Sequence, residues 1–333
     1  MAITNRQIVL VATPQGKLGE EHFRMIENAA PSPKDGELLL RVRYISLDAA
    51  NRAWMQGATY RSAVEAGNTM AGAAIAEVIE ARAPGFAPGD LVFADTGWQD
   101  YAVLQGKACV KLPKLEPVTH LLSVYGIAGL TAYFGLLKLG NPKPGETLVV
   151  SAAAGSVGSL VGQIAKIKGA RVVGIAGGAA KCEWLTRELG FDAAVDYKAE
   201  PLFKTLKEAA PKGIDIYFDN VGGDVFEACL FQMNNHGRIV CCGAVSQYDN
   251  APAPHGPRGV PGLFVVKRLA VNGFIVSDYY AERDAAITEL QSWVTAGKLK
   301  VQEDIMNGLE ATPRALIGLL AGDNRGKRMV KVA

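Results

Sequence analysis

The sequence predicts an α/β protein with two domains, a doubly wound parallel sheet and an irregular barrel-like β domain. Residues 1 to about 120 consist of short β-like runs broken by turn residues. From about 121 to 297, strand-like and helix-like segments alternate, which requires a parallel sheet with helices on both faces. The length of 333 residues also fits two domains.

In the first domain, turn residues separate the predicted strands. Pro-Ser-Pro, Asp-Gly, Pro-Gly and Pro-Gly-Asp sequences end each short run, as expected where strands are joined by tight turns. The predicted strands are residues 7–11, 38–45, 73–79, 90–93 and 101–104.

The alternating region is the second domain, residues 121–297. Its predicted strands are residues 147–151, 171–175, 194–196, 214–220, 237–242 and 269–276. Its predicted helices are residues 157–168, 180–189, 202–210, 224–233 and 281–296, the last with Ile287, Leu290 and Val294 on one apolar stripe. Residues 298–333 are too few to fold alone and are predicted to complete the first domain.

Composition excludes several classes of function. The net charge of +2, from 35 basic and 33 acidic residues, predicts neither a nucleic-acid partner nor a membrane surface. Five cysteines without paired spacing indicate no disulfide framework, and the four separated histidines indicate no metal site. No apolar run has bilayer length and no signal peptide is evident, so we expect a soluble, cytoplasmic protein.

The run SAAAGSVGSLVGQ, residues 151–163, follows a predicted strand and begins a predicted helix. It fits the dinucleotide-binding fingerprint with alanine at the first glycine position. Gly155 would let the backbone approach a pyrophosphate, and Gly158 would let the helix lie close to the sheet. The helix N-terminus would present free N–H groups to phosphate. We therefore predict a Rossmann-type domain that binds a dinucleotide.

The predicted cofactor is NADPH. An NAD site usually has an acid at the end of the second strand, whereas this strand ends in small residues followed by Lys181. An acid would repel a 2′-phosphate and a lysine would attract it.

Motifs along nearly the whole chain resemble those of the zinc-independent medium-chain dehydrogenases/reductases, in the prostaglandin, alkenal/one and curcumin reductase branch. The motifs are Ser-Leu-Asp at 46–48, Gly-Trp at 97–98, residues 152–158, Gly-Phe-Asp at 190–192, Tyr-Phe-Asp-Asn-Val-Gly-Gly at 217–223, Gly-Arg-Ile at 237–239, Cys-Gly-Ala at 242–244 and Gly-Asp-Asn-x-Gly-Lys at 322–327. The resemblance implies a GroES-like barrel for the first domain, NADP as cofactor and a homodimer.

The resemblance also implies roles for individual residues. Gly155, Ser156, Val157 and Gly158 would hold the pyrophosphate, and Lys181 with Tyr197 the 2′-phosphate or its ribose. The other implied cofactor contacts are Asn220 at a sugar, Cys242, Gly243, Ala244 and Tyr248 beside the nicotinamide, Phe274, Ile275 and Val276 lining its pocket at the end of the last strand, and Asn324 reaching over from the first domain.

Two segments depart from patterns in related proteins. Residues 48–55 replace the Asp-Pro-Tyr-Met-Arg run common in this branch, so the substrate is left open. Zinc-bearing relatives need Gly-His-Glu where this chain has Gly67-Asn68-Thr69, which disfavours zinc alcohol dehydrogenase chemistry.

Without a metal, the predicted reaction is NADPH-dependent addition of hydride to the activated double bond of an α,β-unsaturated ketone or aldehyde. Tyr248 is the first candidate for the proton donor and Tyr60 the second, with packing of Tyr248 and a proton from water as the alternative. A quinone reductase on the same fold and an NADPH-binding structural or regulatory protein remain open. A short-chain reductase is excluded because no Tyr-x-x-x-Lys occurs.

Residues 265–276 are predicted to form a long apolar outer strand, which pairing across a twofold axis would cover. Residues 48–70 and the Pro- and Gly-rich loop 248–262 are expected to set the substrate, and the second loop to order on ligand binding.

Overall fold

The computed structural model of the chain describes residues 3–199, 201–249 and 256–333. In these residues the strands are β1 (Thr4–Leu10), β2 (Phe23–Ala29), β3 (Glu37–Ser46), β4 (Ala73–Ala81), β5 (Leu91–Asp95), β6 (Tyr101–Gln105), β7 (Val110–Lys111), β8 (Thr147–Val150), β9 (Arg171–Ala176), β10 (Ala193–Asp196), β11 (Ile214–Asp219), β12 (Met233–Cys241), β13 (Ala270–Gly273), β14 (Glu303–Asn307) and β15 (Lys327–Lys331). The α-helices are α1 (Ala50–Ala53), α2 (Ile127–Phe134), α3 (Ser156–Ile167), α4 (Ala179–Arg187), α5 (Leu202–Ala209), α6 (Gly223–Gln232), α7 (Gly262–Lys267), α8 (Arg283–Thr295) and α9 (Thr312–Ala321).

The chain divides into two compact units. The first unit consists of Met1–Leu122, Glu303–Asp323 and Arg328–Ala333, and the second of Ser123–Gln302 and Asn324–Lys327. Residues 298–302 and 324–327, which the sequence prediction gives to the return segment of the first domain, are therefore grouped with the second unit.

The first unit is built on an antiparallel sheet with the strand order β14-β15-β3-β4-β5-β7, and β6 pairs with β3. Strands β1 and β2 form a separate antiparallel ribbon. The main core lies around the buried side chains of Leu10, Ile45, Met70 and Trp98. The five strands predicted in this region are present as β1, β3, β4, β5 and β6, whereas β2, β7, β14 and β15 were not predicted.

The second unit contains a parallel sheet with the strand order β10-β9-β8-β11-β12-β13. Its central strand β8 is buried along its whole length, as expected for an apolar strand covered on both faces. The chain adds β9 and β10 on one side of β8 and then returns to place β11 on the other side. This arrangement confirms the predicted doubly wound, Rossmann-type fold.

Helix α8 differs from its prediction in the residues that it buries. Its buried side chains are Ala286, Leu290 and Trp293. Leu290 was predicted, whereas Ala286 and Trp293 take the places of the neighbouring Ile287 and Val294 in the predicted apolar stripe. At 13 residues it is also the longest α-helix of the described residues. Within the described ranges, no helix has the length and apolar character needed to cross a membrane.

The predicted long strand over residues 265–276 is wrong. Residues Gly262–Lys267 form helix α7, and strand β13 is limited to Ala270–Gly273. Pro261 precedes the helix and Arg268 follows it with φ of 52°, a left-handed conformation that ends a helix. β-branched side chains made this apolar run resemble a strand, but its flanking residues support one short helix and one short strand.

Candidate functional site

The candidate site lies at the carboxyl ends of the strands in the second unit. Strands β8 and β11 are neighbours there, at the point where the order of strand addition reverses. Ligands of open parallel sheets bind outside the strand ends at such a point. We call this region, formed by the segments that follow β8, β9, β11 and β12, the switch-point edge.

The segment after β8 is a tight turn of small residues, which we call the small-residue turn (residues 152–158). Ala152 has φ of 47°, in the left-handed region that side chains rarely adopt. The Ala153 N–H donates to the Ile175 carbonyl at 2.9 Å, and the Gly155 N–H donates to the Ala152 carbonyl at 2.9 Å. Helix α3 begins at Ser156, so its first N–H groups have no partner within the helix and point towards the switch-point edge.

Gly158 is required by the close approach of α3 to the small-residue turn. A Cβ at this position would overlap the Ala152 carbonyl oxygen and lie 2.9 Å from the Ala153 Cα. At Gly155, a Cβ would lie 3.1 Å from the same carbonyl oxygen. The turn is therefore bare backbone at the N-terminus of a 12-residue helix, and it fits a pyrophosphate group.

The segments after β9 and β10 contain the residues predicted to recognise the 2′-phosphate. Strand β9 ends at Ala176, and Lys181 lies in the first turn of α4, so no acid ends this strand. Tyr197 packs against Gly177, because a Cβ on that glycine would lie 3.0 Å from its ring. The nearby Asp196 carboxylate accepts hydrogen bonds from the backbone N–H groups of Gly178 at 2.8 Å and Lys198 at 3.0 Å. Asp196 therefore joins the segment after β9, which leads to Lys181, to the segment after β10, which contains Tyr197.

A buried carboxylate, Asp219, organises the junction between β8 and β11. Only 3% of this residue is exposed. It accepts hydrogen bonds from the Tyr217 hydroxyl at 2.6 Å, the Ser151 hydroxyl at 3.0 Å and the N–H groups of Val221 and Gly222 at 2.9 and 3.0 Å. Burial, together with the nearby Cys229 and Asp219, raises the pKa of Tyr217 well above its ordinary value, which keeps its donating proton in place.

Asn220 is tied to the end of β8. Its backbone N–H donates to the Ser151 hydroxyl at 2.9 Å, and its side-chain amide donates to the Ser151 carbonyl at 2.8 Å. The structure thus places Asn220 at the switch-point edge with a fixed side chain. Its predicted contact with a cofactor sugar stays a prediction.

The loop after β12 is bonded to the segment after β11. The N–H groups of Cys242 and Gly243 both donate to the Asp219 carbonyl, at 2.8 and 3.1 Å. The Ala244 N–H donates to the Tyr248 hydroxyl oxygen at 3.4 Å, which brings this phenol back over the start of its own loop. Burial, then the charges of Asp219 and Cys241, raises the pKa of Cys242 to about 12, so its thiol stays protonated. Residues 250–255 of the predicted substrate loop 248–262 lie outside the described residues.

The structure also gives the positions of two further sets of predicted cofactor contacts, residues 274–276 and Asn324. Phe274, Ile275 and Val276 follow β13 rather than ending it, because that strand stops at Gly273. Asn324 is 8% exposed and its amide donates to the Gly326 carbonyl at 2.8 Å. The Gly326 N–H in turn donates to the Ala154 carbonyl at 2.8 Å, so this segment pairs with the small-residue turn.

Tyr60 belongs to the first unit. It is 61% exposed and meets Trp54 edge to face, with ring centroids 6.3 Å apart. The Arg61 guanidinium lies 4.4 Å from the centre of the Trp54 ring and pairs with Asp95 at 2.8 Å. These contacts define a small aromatic and cationic cluster around Tyr60, beside the segment 48–55 that departs from related sequences.

Comparisons with known proteins give the family. The model described as "N-terminal domain of oxidoreductase" matches residues 6–112, and the one described as "Zinc-binding dehydrogenase" matches residues 156–292. The chain is 44% identical to an NADPH-dependent curcumin reductase of Escherichia coli (strain K12), over 99% of this chain and 97% of the relative. It belongs to the medium-chain dehydrogenase/reductase family.

The predicted branch of the medium-chain dehydrogenases/reductases is confirmed as well. A 2-alkenal reductase (NADP(+)-dependent) of Nicotiana tabacum is 37% identical over 99% of this chain and 98% of the relative. The crystal structure of CurA from Vibrio vulnificus in complex with NADPH superposes with a TM-score of 0.94 at 41% identity, covering 98% of this chain and 99% of that one.

The zinc named in one family description does not fit the residues of this medium-chain dehydrogenase/reductase. Across residues 3–199, 201–249 and 256–333, no three His, Cys, Asp or Glu side chains are grouped so that they could hold a metal ion. The stretch Gly67-Asn68-Thr69 supplies backbone pairing instead, with the Leu10 N–H donating to the Asn68 carbonyl at 3.0 Å.

The Asp219 network was not predicted from the sequence. Ser151 and Asp219 are 68 positions apart, and only the adjacency of β8 and β11 brings them together. The available signal was a polar residue directly at the end of each of two buried strands. Lys198 and Arg325, both close to the loop after β9, were missed as well.

Proposed function

We propose that this chain is an NADPH-dependent reductase that saturates the activated carbon–carbon double bond of α,β-unsaturated ketones and aldehydes without a metal. The observation that carries the proposal is the small-residue turn at the switch-point edge, whose bare backbone fits a pyrophosphate. The names of relatives agree with it: one is a curcumin reductase that depends on NADPH and another reduces 2-alkenals.

Residues of the switch-point edge would hold the cofactor. The N–H groups at the start of α3 would bind the pyrophosphate, and Lys181 with Tyr197 would bind the 2′-phosphate. The remaining contacts that we propose are Gly155, Ser156, Val157 and Gly158 at the pyrophosphate, Asn220 and Asn324 at the sugars, and Cys242, Gly243, Ala244, Tyr248, Phe274, Ile275 and Val276 around the nicotinamide.

The protein must position the substrate and supply a proton. When bound, NADPH supplies the hydride that adds at the β-carbon of the substrate. The chain then has to stabilise the negative oxygen of the resulting enolate and deliver a proton to the α-carbon. Tyr248 is our first candidate for this delivery, because its phenol lies beside the start of the loop after β12, where the Ala244 N–H donates to its hydroxyl oxygen at 3.4 Å. Tyr60, the second candidate, is exposed in the first unit.

Tyr248→Phe tests the proton donor, with Tyr60→Phe as its matched control. Loss of a general acid lowers turnover by about 10²–10⁴-fold, so we expect a drop of this size at Tyr248 with NADPH affinity retained. A rate close to that of the wild type would reduce Tyr248 to a packing role. If only the Tyr60 variant shows this drop in turnover, Tyr60 and not Tyr248 would be the proton donor.

The function itself is tested by following NADPH oxidation with a panel of enals, enones and quinones. We expect turnover with enals and enones and a clear preference for NADPH over NADH. Turnover confined to quinones would favour a quinone reductase. Tight NADPH binding without oxidation by any acceptor would favour a structural or regulatory role.

We also propose a cytoplasmic homodimer that uses the β13 edge of the sheet. β13 ends the strand order, and the neighbouring Val265 and Val266 of α7 are 72% and 66% exposed. An open strand edge beside apolar side chains is typical of a surface that a second copy covers. Sedimentation should give a dimer for the wild type and a monomer for Val265→Glu/Val266→Glu. A wild-type monomer would contradict this proposal.

A further inference from the structure

We propose that Arg325 belongs to the 2′-phosphate site and, together with Lys181 and Lys198, makes this chain select NADPH over NADH. The inference rests on the proposed function, since it assigns a further specificity-determining residue to the same cofactor. It concerns the position between Asn324 and Gly326 in the segment that pairs with the small-residue turn.

The backbone that follows Arg325 is fixed. The buried Asn324 amide donates across it to the Gly326 carbonyl at 2.8 Å. The Gly326 N–H donates to Ala154 at 2.8 Å, and the Lys327 N–H donates to Gln302 at 2.9 Å. A side chain that starts from a backbone held at three points loses less conformational freedom when it binds a ligand.

The Arg325 guanidinium lies at the first turn of α4. One of its Nη atoms donates to the Ala180 carbonyl at 3.4 Å, next to Lys181 in sequence. In the described ranges of the chain, no carboxylate lies within ion-pair distance of Arg325. A hydrogen bond of this length to a neutral carbonyl is weak, so a phosphate oxygen could displace it at little cost.

A second cation faces the same loop. The Lys198 ammonium lies 5.9 Å from the centre of the Tyr197 ring, and its Cε would lie 2.9 Å from a Cβ built on Gly177. Lys198 and Arg325 thus lie beside residues 177–180, directly before Lys181 in the chain. The neighbouring Asp196 carboxylate is occupied by two backbone N–H groups.

The chemistry of this cluster suits a phosphate monoester. Such a group carries close to two negative charges at neutral pH and offers several acceptor oxygens. A guanidinium can bind it through two parallel N–H donors, which a lysine cannot do. The ribose hydroxyl of NADH has no charge and would gain little from the three cations. The cluster therefore favours a nucleotide with a 2′-phosphate.

Calorimetric titration of the full chain with NADPH and with NADH tests this inference. Arg325→Ala should weaken NADPH binding about tenfold, the low end for hydrogen bonds to a charged group, and change NADH binding by less than about twofold. It should also reduce the dependence of NADPH affinity on salt. Arg325→Lys should lie between wild type and Arg325→Ala, because it keeps the charge and loses the paired donors.

Arg187→Ala is the matched control. It removes an arginine from the last turn of α4, where Arg187 pairs with Glu183, and changes the net charge equally. NADPH affinity of this variant should equal that of the wild type.

Three results would overturn the inference about Arg325. They are unchanged NADPH affinity in Arg325→Ala, an equal loss for NADPH and NADH, and a loss of the same size in Arg187→Ala. In each case wild type would still bind NADPH, so the proposed function would stand. Failure of the wild type to bind either nucleotide would instead remove the proposed function and this inference together.

Discussion

Replacing Gly158 by alanine should separate the stability of the fold from the affinity for the cofactor. The added Cβ would lie 2.9 Å from the Ala153 Cα and 3.0 Å from the Ala152 carbonyl carbon, whereas carbon atoms in contact are normally about 3.5–4.0 Å apart. Every atom that it meets is backbone of the small-residue turn, which must therefore move by roughly half an ångström or more.

The expected stability cost is that of an overpacked core, about 1–3 kcal/mol. For a chain of 333 residues, each kcal/mol lowers Tm by about 1–2 °C. Because Ala152 is already in the left-handed region, the displacement falls on the segment that would bind the pyrophosphate. NADPH affinity should therefore fall as well.

Gly162→Ala is the matched control in the same helix. The three atoms nearest to its Cβ would all belong to the ring of Phe191, a side chain, rather than to the small-residue turn. It should cost stability on the same scale and leave NADPH affinity unchanged, because a side chain can yield where the backbone of the turn cannot.

Thermal denaturation of the three proteins with and without NADPH measures both effects. At a concentration 100 times Kd, a ligand stabilises the native state by about 2.7 kcal/mol, and a hundredfold weaker site leaves about 0.4 kcal/mol. Wild type and Gly162→Ala should show the full NADPH-induced shift in Tm, and Gly158→Ala a much smaller one. A full shift in Gly158→Ala would refute the assignment of this turn to the pyrophosphate.

Three further predictions follow from the switch-point edge. Lys181→Ala should weaken NADPH binding by about 1–3 kcal/mol and spare NADH, and an unchanged ratio of the two Kd values in calorimetry would reject its role at the 2′-phosphate. Asp219→Asn should lower the free energy of unfolding by about 3 kcal/mol in urea titrations and weaken NADPH binding, because it removes a charged acceptor shared by four donors. An unaffected NADPH affinity would limit Asp219 to a role in stability. The native Cys242 thiol should resist iodoacetamide at pH 8, as checked by mass spectrometry, because its pKa is about 12. The folded pKa of Cys242 exceeds the ordinary value of 9.0, so the stabilising effect of the protonated thiol is complete below about pH 9 and is lost as the pH rises towards 12. Over that interval, the free energy of unfolding of Cys242→Ala should therefore fall less than that of the wild type.

The parts of the fold that sequence predicts well are those fixed by local chemistry. Strands β8 and β9 and the start of α3 were predicted to within one residue, because apolar runs end there in small residues. The small-residue turn could be located for the same reason. Residues 265–276 were misjudged because an apolar run of this length is compatible with either a helix or a strand.

The parts that sequence does not predict depend on which strands become neighbours. The bond between Ser151 and Asp219 requires β11 to lie beside β8, and nothing local to either residue specifies that. The pairing of Gly326 with Ala154 joins positions that are far apart in the chain. Strand β2 has no fully buried residue, and it is defined by its pairing with β1 along its whole length.

Product analysis tests the central claim most directly. The purified chain is incubated with NADPH and a 2-enal, NADPH consumption is followed by absorbance, and the product is identified by mass spectrometry and NMR. We predict stoichiometric formation of the saturated aldehyde. Formation of the allylic alcohol, or no consumption of NADPH with any enal or enone, would contradict the proposed reduction of the carbon–carbon double bond.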